Sequence, residues 1–233
     1  MRTMTQDELK ITLKNRGKNE MLSLQETALS DMNLTGWDLS GIDFTLSSFD
    51  RVNFNKANLR GSDVSHVLFK DCTLHGADLR GAKLECAILR YADLTESNIE
   101  GANLHCAVLE YAKLDGIISN DETKWFRLYC PEKGAFLGYK KCFNGRLVQL
   151  LIPADAKRTS STMNSCRCNK AKVLTIKSFD YKENYKEAWS LVDENFVYRV
   201  GEWVSVKDFN EDRWMDSTTG IHFWLTREEA MNY

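Results

Sequence analysis

Large apolar side chains recur at every fifth position over almost half of the chain. The series has no break between its first and last members. Its nineteen positions are Leu24, Leu29, Leu34, Leu39, Phe44, Phe49, Phe54, Leu59, Val64, Phe69, Leu74, Leu79, Leu84, Leu89, Leu94, Ile99, Leu104, Leu109 and Leu114. A helix repeats about every 3.6 residues and a strand every two, so neither accounts for a period of five. The pattern therefore predicts a solenoid whose coils bury one side chain of each five-residue unit along a common axis.

The residues before each apolar position are also patterned. Two positions earlier the residue is mostly small, and the residue between is often Asp or Asn, as in Ala-Asn-Leu-Arg-Gly at 57–61. This A-(D/N)-L-x-x pattern resembles the pentapeptide-repeat family over residues 21–118. The resemblance implies a right-handed, quadrilateral β-solenoid with four repeats in each coil of twenty residues, and hence nearly five coils. Glycines at that spacing, which fit turn positions at one corner, are Gly41, Gly61, Gly81 and Gly101.

The composition changes near Ile118, where the five-residue pattern ends. Five of the six Trp and both Pro lie beyond this point. Before the repeats, Thr5 is followed three residues later by Glu8, the spacing of a capping box, which predicts a short helix. Such a helix would shield the open end of a solenoid. We therefore expect an N-terminal helical cap over 1–20, the solenoid over 21–118 and an α+β domain over 119–233.

Short apolar runs predict the elements of the α+β domain. Residues 138–152 contain Asn144-Gly145 between two such runs, which is typical of a β-hairpin. Residues 153–158 are expected to form a short helical turn. Further expected elements are a strand at 171–176, two strands between Asn195 and Phe209 joined at Gly201-Glu202, a strand at 221–225, and a closing helix capped by Thr226.

Four segments of this domain resemble a domain of unknown function that follows pentapeptide repeats in bacteriophage and bacterial proteins. They are Gly138–Cys142, Leu150–Arg158, Cys166–Val173 and Gly220–Phe223. The resemblance suggests a phage origin and implies no activity. The stretch from Gly220 to Tyr233 also resembles the G-I-Y-F…A-x-x-Y stretch of ADP-ribosyltransferases. That family carries its catalytic Glu on a later strand, and its catalytic His has no evident counterpart here, so the resemblance implies at most a degenerate relative.

One face of the predicted solenoid departs from the polar pattern of the others. Leu68, Ile88 and Val108 replace the usual Asp or Asn at a spacing of twenty, and Tyr91 and Tyr111 flank them in the next column. An apolar surface of this kind marks a docking site. Three occupants remain open: the second domain of the same chain, a second copy in a homodimer, or another protein.

The charge of the repeats suggests an alternative function. Residues 21–118 carry fourteen acidic and eight basic residues, a net charge of −6. Some pentapeptide-repeat proteins mimic duplex DNA and occupy topoisomerases, so the resemblance implies that this surface could act as a DNA mimic that inhibits a DNA-binding enzyme. B-DNA of the same ~24 Å length would carry about fourteen charges. The solenoid is short and weakly charged by that standard, which makes DNA mimicry the lesser alternative.

Basic and cysteine residues of the second domain supply the remaining candidate sites. A Ser/Thr-rich loop at 159–162 lies among basic residues that could hold a nucleotide phosphate or another anion. This candidate anion set is Lys157, Arg158, Arg167, Lys170 and His222. Zinc coordination is a weaker alternative, because Cys166-x-Cys168 lacks the usual C-x-x-C spacing. Its ligands would be Cys130, Cys142, Cys166 and Cys168.

Bulk properties narrow the function classes further. The net charge is −2 with 27% charged residues, so the chain lacks the basic signature of direct nucleic-acid binding. No apolar run reaches membrane-spanning length, and residues 1–20 carry charges where a secretory signal needs an apolar stretch. Seven cysteines without a secretory context are expected to be reduced, in the cytoplasm. We expect no cofactor and favour a non-enzymatic, phage-encoded scaffold that binds a host protein, for example a defence or DNA-processing factor.

Overall fold

The computed structural model describes residues 1–17 and 21–233. Residues 18–20, which end the predicted helical cap, lie outside the described part. The chain divides into a first unit, Met1–Arg127, and a second unit, Leu128–Tyr233. Neither of the described α-helices has the length and apolar character that crossing a membrane requires.

The first unit begins with a strand and a helix. Strand β1 (Arg2–Thr3) pairs in parallel with β2 (Thr27–Ser30), and helix α1 spans Gln6–Lys14. The predicted capping box is confirmed: the backbone N–H of Glu8 donates to the Thr5 hydroxyl oxygen (3.2 Å), and the backbone N–H of Thr5 donates to the Glu8 carboxylate (2.7 Å). The two side chains thus satisfy backbone donors that the start of a helix leaves free.

Parallel pairing at a constant offset builds the rest of the first unit. Strand β2 pairs with β3 (Ser48–Asp50), and β3 pairs with β4 (Leu68–Lys70), each residue meeting the one twenty positions later. Isolated bridges continue this offset from Leu68 to Ile88 and from Ile88 to Val108. The first unit is therefore a β-solenoid. Its paired residues lie twenty positions apart, which is the spacing of the glycines at 41, 61, 81 and 101.

The apolar series fills the interior of the solenoid. Its members from Leu24 to Leu109 are all buried, and Leu114 is half-buried. An aromatic cluster widens the interior at one level, with ring centroids 5.2–6.0 Å apart. Its members are Phe44, Phe49, Phe54 and Phe69. Most of these rings meet edge to face, an arrangement that aromatic quadrupoles favour.

The preference for Asp or Asn before each apolar residue has a local cause. The side-chain oxygen accepts a hydrogen bond from the backbone N–H two residues later, as Asp38 does from Ser40 (3.2 Å). The next residue then takes a left-handed conformation, with φ of 61° at Gly41 and 60° at Gly61. Each such turn redirects the chain, and glycine adopts it without steric cost.

The second unit consists mainly of antiparallel strands. They are β5 (Phe136–Cys142), β6 (Arg146–Ile152), β7 (Arg158–Ser160), β8 (Cys166–Cys168), β9 (Lys170–Ser178), β10 (Glu187–Trp189), β11 (Val197–Arg199), β12 (Trp203–Ser205) and β13 (Ile221–Phe223). Helix α2 spans Arg227–Asn232, and the predicted cap is confirmed, since the Thr226 hydroxyl accepts from the backbone N–H of Glu229 (3.2 Å). The strands form sheets ordered β12-β9-β6-β5, β13-β8-β7 and β10-β11.

The predicted hairpin is confirmed as β5 and β6. The two strands pair from Phe136↔Ile152 to Cys142↔Arg146 around the 3₁₀ turn Phe143–Gly145. Asn144 and Gly145 have φ values of 58° and 63°, the left-handed conformations that make this dipeptide suitable for a tight turn.

The predicted helical turn at 153–158 is wrong. The Ala156 N–H donates to the Pro153 carbonyl (3.0 Å) and closes a tight turn, after which Arg158 begins β7. The segment cannot continue as a helix because its next backbone groups enter a sheet ladder: Arg158 pairs in register with Cys168.

The two strands expected between Asn195 and Phe209 are β11 and β12, but they pair in different sheets. Strand β11 pairs with β10, and β12 pairs with β9. The residues between them bind β9: the Gly201 N–H donates to the Val173 carbonyl (2.9 Å), and the Val173 N–H donates to the Glu202 carbonyl (2.9 Å). This connection therefore leads the chain from one sheet to another.

Candidate binding surface

The structure brings the five residues of the predicted docking surface together. Backbone bridges align Leu68, Ile88 and Val108 in one column, and Leu68 and Ile88 are each 38% exposed. Tyr91 and Tyr111 are 62% and 54% exposed. Their rings stack 4.9 Å apart and 6° from parallel. We call these five residues the apolar strip.

Both columns of the apolar strip change character along the solenoid. The aliphatic column begins with Ala28 and Ser48, which precede Leu68 in the parallel register. At the same spacing of twenty, the aromatic column begins with Asp31, Arg51 and Asp71. Two hydrogen bonds of 2.7 and 2.8 Å join Asp31 and Arg51. Small and charged residues thus give way to large apolar ones, and the strip is confined to the later coils.

A cleft of about 160 Å³ lies between the two columns. Leu68, Ile88 and Tyr91 line it together with the charged residues Lys70, Asp71 and Arg90. The Arg90 guanidinium donates to the Glu110 carboxylate (2.8 Å), so a fixed ion pair borders the apolar wall. An apolar centre with a charged margin is the usual arrangement of a protein–protein interface.

The backbone at the two tyrosines is strained. Their φ values are 63° at Tyr91 and 58° at Tyr111, in the left-handed region that costs a bulky L-residue about 1 kcal/mol or more. Another corner of the solenoid places glycine at such positions, for example Gly81 at φ 65°. Stacking of the two rings offsets part of the cost. Other non-glycine residues of the solenoid adopt the same conformation, for example Leu46 (φ 61°) and Cys86 (φ 55°), so this strain belongs to the turns of the fold.

The candidate anion set is engaged in contacts within the second unit. Arg158 donates to backbone carbonyl oxygens, among them those of Gly134 and Ala154 (both 2.7 Å). Lys170 pairs with Asp155 (2.6 Å) and Lys157 with Glu211. An anion at these positions would have to displace the existing protein partners, and anion binding by this set stays a prediction.

Arg167 and His222, the other members of the set, are held from inside the second unit. Arg167 is 2% exposed, and its guanidinium donates to the carbonyl oxygens of Asn210, Thr219 and Asp212 at 2.8–2.9 Å. Burial lowers the pKa of Arg167. Burial also lowers the pKa of His222, whose Nε2 lies 3.1 Å from the Asp216 carbonyl oxygen.

The four cysteines of the zinc alternative are all buried. Cys130 and Cys166 are hydrogen-bonded to each other, which lowers the pKa of the Cys130 thiol and raises that of Cys166. Burial raises the pKa of Cys142 and of Cys168 to about 12. Within residues 1–17 and 21–233, no three His, Cys, Asp or Glu side chains are grouped so that they could hold a metal ion.

Comparison with protein families identifies both units. A family model described as pentapeptide repeats (8 copies) matches residues 28–65, 47–85, 65–101 and 86–118. The first unit is a pentapeptide-repeat solenoid. Residues 126–230 match a family of unknown function, DUF5758, which confirms the expectation of a domain without assigned activity.

Several solved pentapeptide-repeat structures are similar to this chain. Rfr23 from the cyanobacterium Cyanothece 51142 is 28% identical, with 46% of this chain and 65% of that chain covered and a TM-score of 0.35. A protein from the Arabidopsis thaliana thylakoid lumen is 31% identical, with 37% and 60% covered and a TM-score of 0.36. This chain spans less than two thirds of either protein. No curated protein matches it.

The DUF5758 unit contains a buried cation that the sequence-based reasoning missed. Lys140 lies in β5 and is 5% exposed. Strand β5 buries alternate residues, Gly138, Lys140 and Cys142. Alternate residues of a strand face the same side, so the predicted hairpin already placed Lys140 on the side that faces the core.

Proposed function

We propose that this pentapeptide-repeat protein is a non-enzymatic scaffold that binds another protein through the apolar strip. The observation that carries the proposal is the stacked, exposed pair Tyr91 and Tyr111 beside the aliphatic residues Leu68 and Ile88. Tyrosine is enriched at the centre of protein interfaces, where a few anchor residues supply most of the binding energy.

The strip is held in place by the hydrogen bonds of the solenoid. The backbone N–H groups of Leu68, Ile88 and Tyr91 donate to carbonyl oxygens of neighbouring coils at 3.1, 2.8 and 3.0 Å. A surface that is already ordered loses little conformational entropy when a partner docks. This supports a rigid surface that accepts an apolar projection of its partner in the cleft between the two columns.

We further propose a right-handed, quadrilateral solenoid of nearly five coils over 21–118, preceded by the cap at 1–20 and followed by the domain at 119–233. The pairing of residues twenty apart supports four five-residue sides in each coil. The partner is proposed to be a host protein, met in the cytoplasm of a bacterium infected by the phage that encodes this chain. The resemblance of segments such as Gly220–Phe223 to phage proteins supports that origin.

The charges of the solenoid favour this proposal over DNA mimicry. A DNA mimic presents an uninterrupted acidic surface. Here acidic residues are paired with basic residues twenty positions away, which neutralises part of the acidic surface. These pairs are Asp31–Arg51, Asp63–Lys83, Asp93–Lys113 and Glu110–Arg90. A homodimer, or coverage of the strip by the second unit, remains an alternative occupant of the same apolar surface.

Changing the strip back to polar residues tests the proposal. The triple variant Leu68→Asp, Ile88→Asn, Val108→Asp should fold, because none of the three positions belongs to the buried axis, and should lose the partner from a host-lysate pull-down. A matched triple variant on another face, Asp63→Asn, Lys83→Asn, Asn103→Asp, should retain it. Equal recovery of the partner by both variants would reject the proposal.

The tyrosines provide a second variant that does not depend on adding charge. Tyr91→Gly with Tyr111→Gly relieves two left-handed backbone positions, so we expect little change in melting temperature together with loss of the partner. Sizing chromatography and limited proteolysis near Ile118 identify the alternatives. A dimer abolished by the strip variant would assign the strip to a second copy, and faster cleavage near Ile118 would assign it to the second unit.

A further inference from the structure

The DUF5758 unit contains a cavity of about 490 Å³ that no part of the proposed scaffold function uses. Lys140 and His222 line it, and Phe196 and Val206 contribute apolar wall. All of the lining residues belong to the second unit. The lining combines polar and charged residues with the apolar side chains of Val192, Phe196, Val206 and Ile221. A cavity of this size is within the range of sites that hold small molecules.

Lys140 is the unusual member of this lining. It is 5% exposed, and its side chain makes no hydrogen bond or ion pair with the described residues of the chain. The other buried cation of this unit, Arg167, is satisfied by three carbonyl oxygens. A largely buried lysine side chain without a protein partner is costly, since little water and no opposite charge compensate its ammonium group. Burial accordingly lowers the pKa of Lys140.

A ligand that places negative charge or a strong acceptor inside the cavity would compensate the Lys140 ammonium group. Asp193 and Asp208 also line the cavity, and both are exposed. Neither forms an ion pair with Lys140. Two carboxylates disfavour a ligand with several negative charges, such as a phosphate dianion, because like charges repel. The apolar wall of Phe196 and Val206 favours a ligand with an apolar body.

We propose that this cavity binds a small monocarboxylic acid with an apolar body, whose carboxylate pairs with the Lys140 Nζ. The single charge meets the single unpaired cation, and the apolar body lies against the wall that Phe196 and Val206 form. The site shares His222 with the candidate anion set but includes neither of its arginines.

Titration of the full chain with benzoate tests this assignment. Benzoate should raise the melting temperature in a concentration-dependent way, whereas benzamide, of the same shape without charge, should have little effect. Phenyl phosphate should bind more weakly than benzoate, because it carries more charge past Asp193 and Asp208. Equal shifts with benzoate and benzamide, or none with either, would overturn the proposal.

Two lysine variants locate the site. Lys140→Met keeps most of the apolar stem and should weaken benzoate binding at least tenfold. Lys172→Met, on strand β9 of the same sheet, should leave it unchanged. Retention of benzoate affinity in Lys140→Met would place the ligand elsewhere and reject the assignment.

Chemical protection of the wild-type protein gives a readout that does not depend on folding of a variant. Lysines are acetylated with limiting acetic anhydride, with and without benzoate, and the modified peptides are mapped by mass spectrometry. Benzoate should slow the modification of Lys140 severalfold and leave that of exposed Lys133 unchanged. Equal modification of Lys140 in both samples would contradict the proposed contact.

Discussion

The two units of this protein bury different chemistry. The solenoid reserves its interior for apolar side chains, with small serines such as Ser62 and Ser97 as its polar exceptions. The DUF5758 unit buries Lys140 and Arg167 as well as a group of Ser and Thr residues. Burying polar groups is stabilising only where each is hydrogen-bonded. The inward positions of the solenoid are mostly apolar, so its charged side chains lie on the surface, whereas the second unit also buries charged side chains.

The two units also differ in where their charged groups are bound, on the surface of the solenoid and inside the DUF5758 unit. In the solenoid, Arg51 and Asp31 pair on the surface, where such a pair contributes at most about 1 kcal/mol. In the DUF5758 unit, Arg167 is enclosed and donates to three backbone carbonyl groups. Removing a surface pair leaves two solvated groups, but removing a buried cation leaves its acceptors without partners. The units should therefore respond differently to the same kind of substitution.

The largest effect is expected from a charge on the solenoid axis. Leu79→Asp places a carboxylate with no cation beside it at a fully buried position, at a cost of several kcal/mol. We expect loss of the cooperative thermal transition of the solenoid, measured by circular dichroism. Lys56→Asp, at an exposed corner with φ 57°, makes a similar chemical change where Asp is tolerated and should melt like the wild type. Unchanged melting of Leu79→Asp would show that the assigned register is wrong.

An intermediate effect is expected from removing the buried guanidinium of the second unit. Arg167→Met keeps the apolar stem but leaves the carbonyl groups of Asn210, Thr219 and Asp212 without their donor. We expect a loss of about 3 kcal/mol in the free energy of unfolding, measured by urea denaturation. Arg199→Met, which removes only an exposed ion pair with Glu187, should cost less than about 1 kcal/mol. Similar losses of unfolding free energy for both variants would show that burial of Arg167 does not make it more important for stability than exposed Arg199.

The solenoid was predictable from sequence because its repeat is local. Each five-residue unit has the same buried apolar residue and, where Asp or Asn precedes it, the same hydrogen bond to the N–H two residues later. The apolar strip could also be located, since register in a solenoid follows from counting in twenties. Its function could not, because the sequence does not show what covers an exposed surface.

The DUF5758 unit was less predictable because its pairing is not local. The hairpin β5–β6 and the helix cap at Thr226 depend on neighbouring residues and were found. The separation of β11 and β12 into different sheets depends on Val173, far away in sequence. The partners of Arg167 lie more than forty residues away, so its apparent suitability for an anion site could not be distinguished from a structural role.

The smallest expected effect is a difference between the two units in how their stability depends on pH. Burial lowers the pKa of His222 below its ordinary value near 6.5, with Asp216 opposing and Lys140 and Arg167 adding to the shift. As the pH falls, His222 of the unfolded chain therefore binds a proton at a higher pH than His222 of the folded chain. The free energy of unfolding is highest above pH 6.5 and decreases as the pH falls toward the folded pKa. The loss is at most about 1.4 kcal/mol per pH unit for one group.

The solenoid should be insensitive over that range and respond only in stronger acid. Hydrogen bonds from the Ser40 and Thr95 side chains lower the pKa of Asp38 and Asp93, so the stability from these carboxylates is complete above the unfolded value near 3.9 and is lost below it. Replacing Trp37 and Trp125 with Phe leaves tryptophan fluorescence to the second unit alone. Its urea midpoint should fall between pH 7 and pH 5, and His222→Gln, which keeps a donor for the Asp216 carbonyl, should remove most of that fall. A fall of equal size in His222→Gln would assign the pH response to other groups.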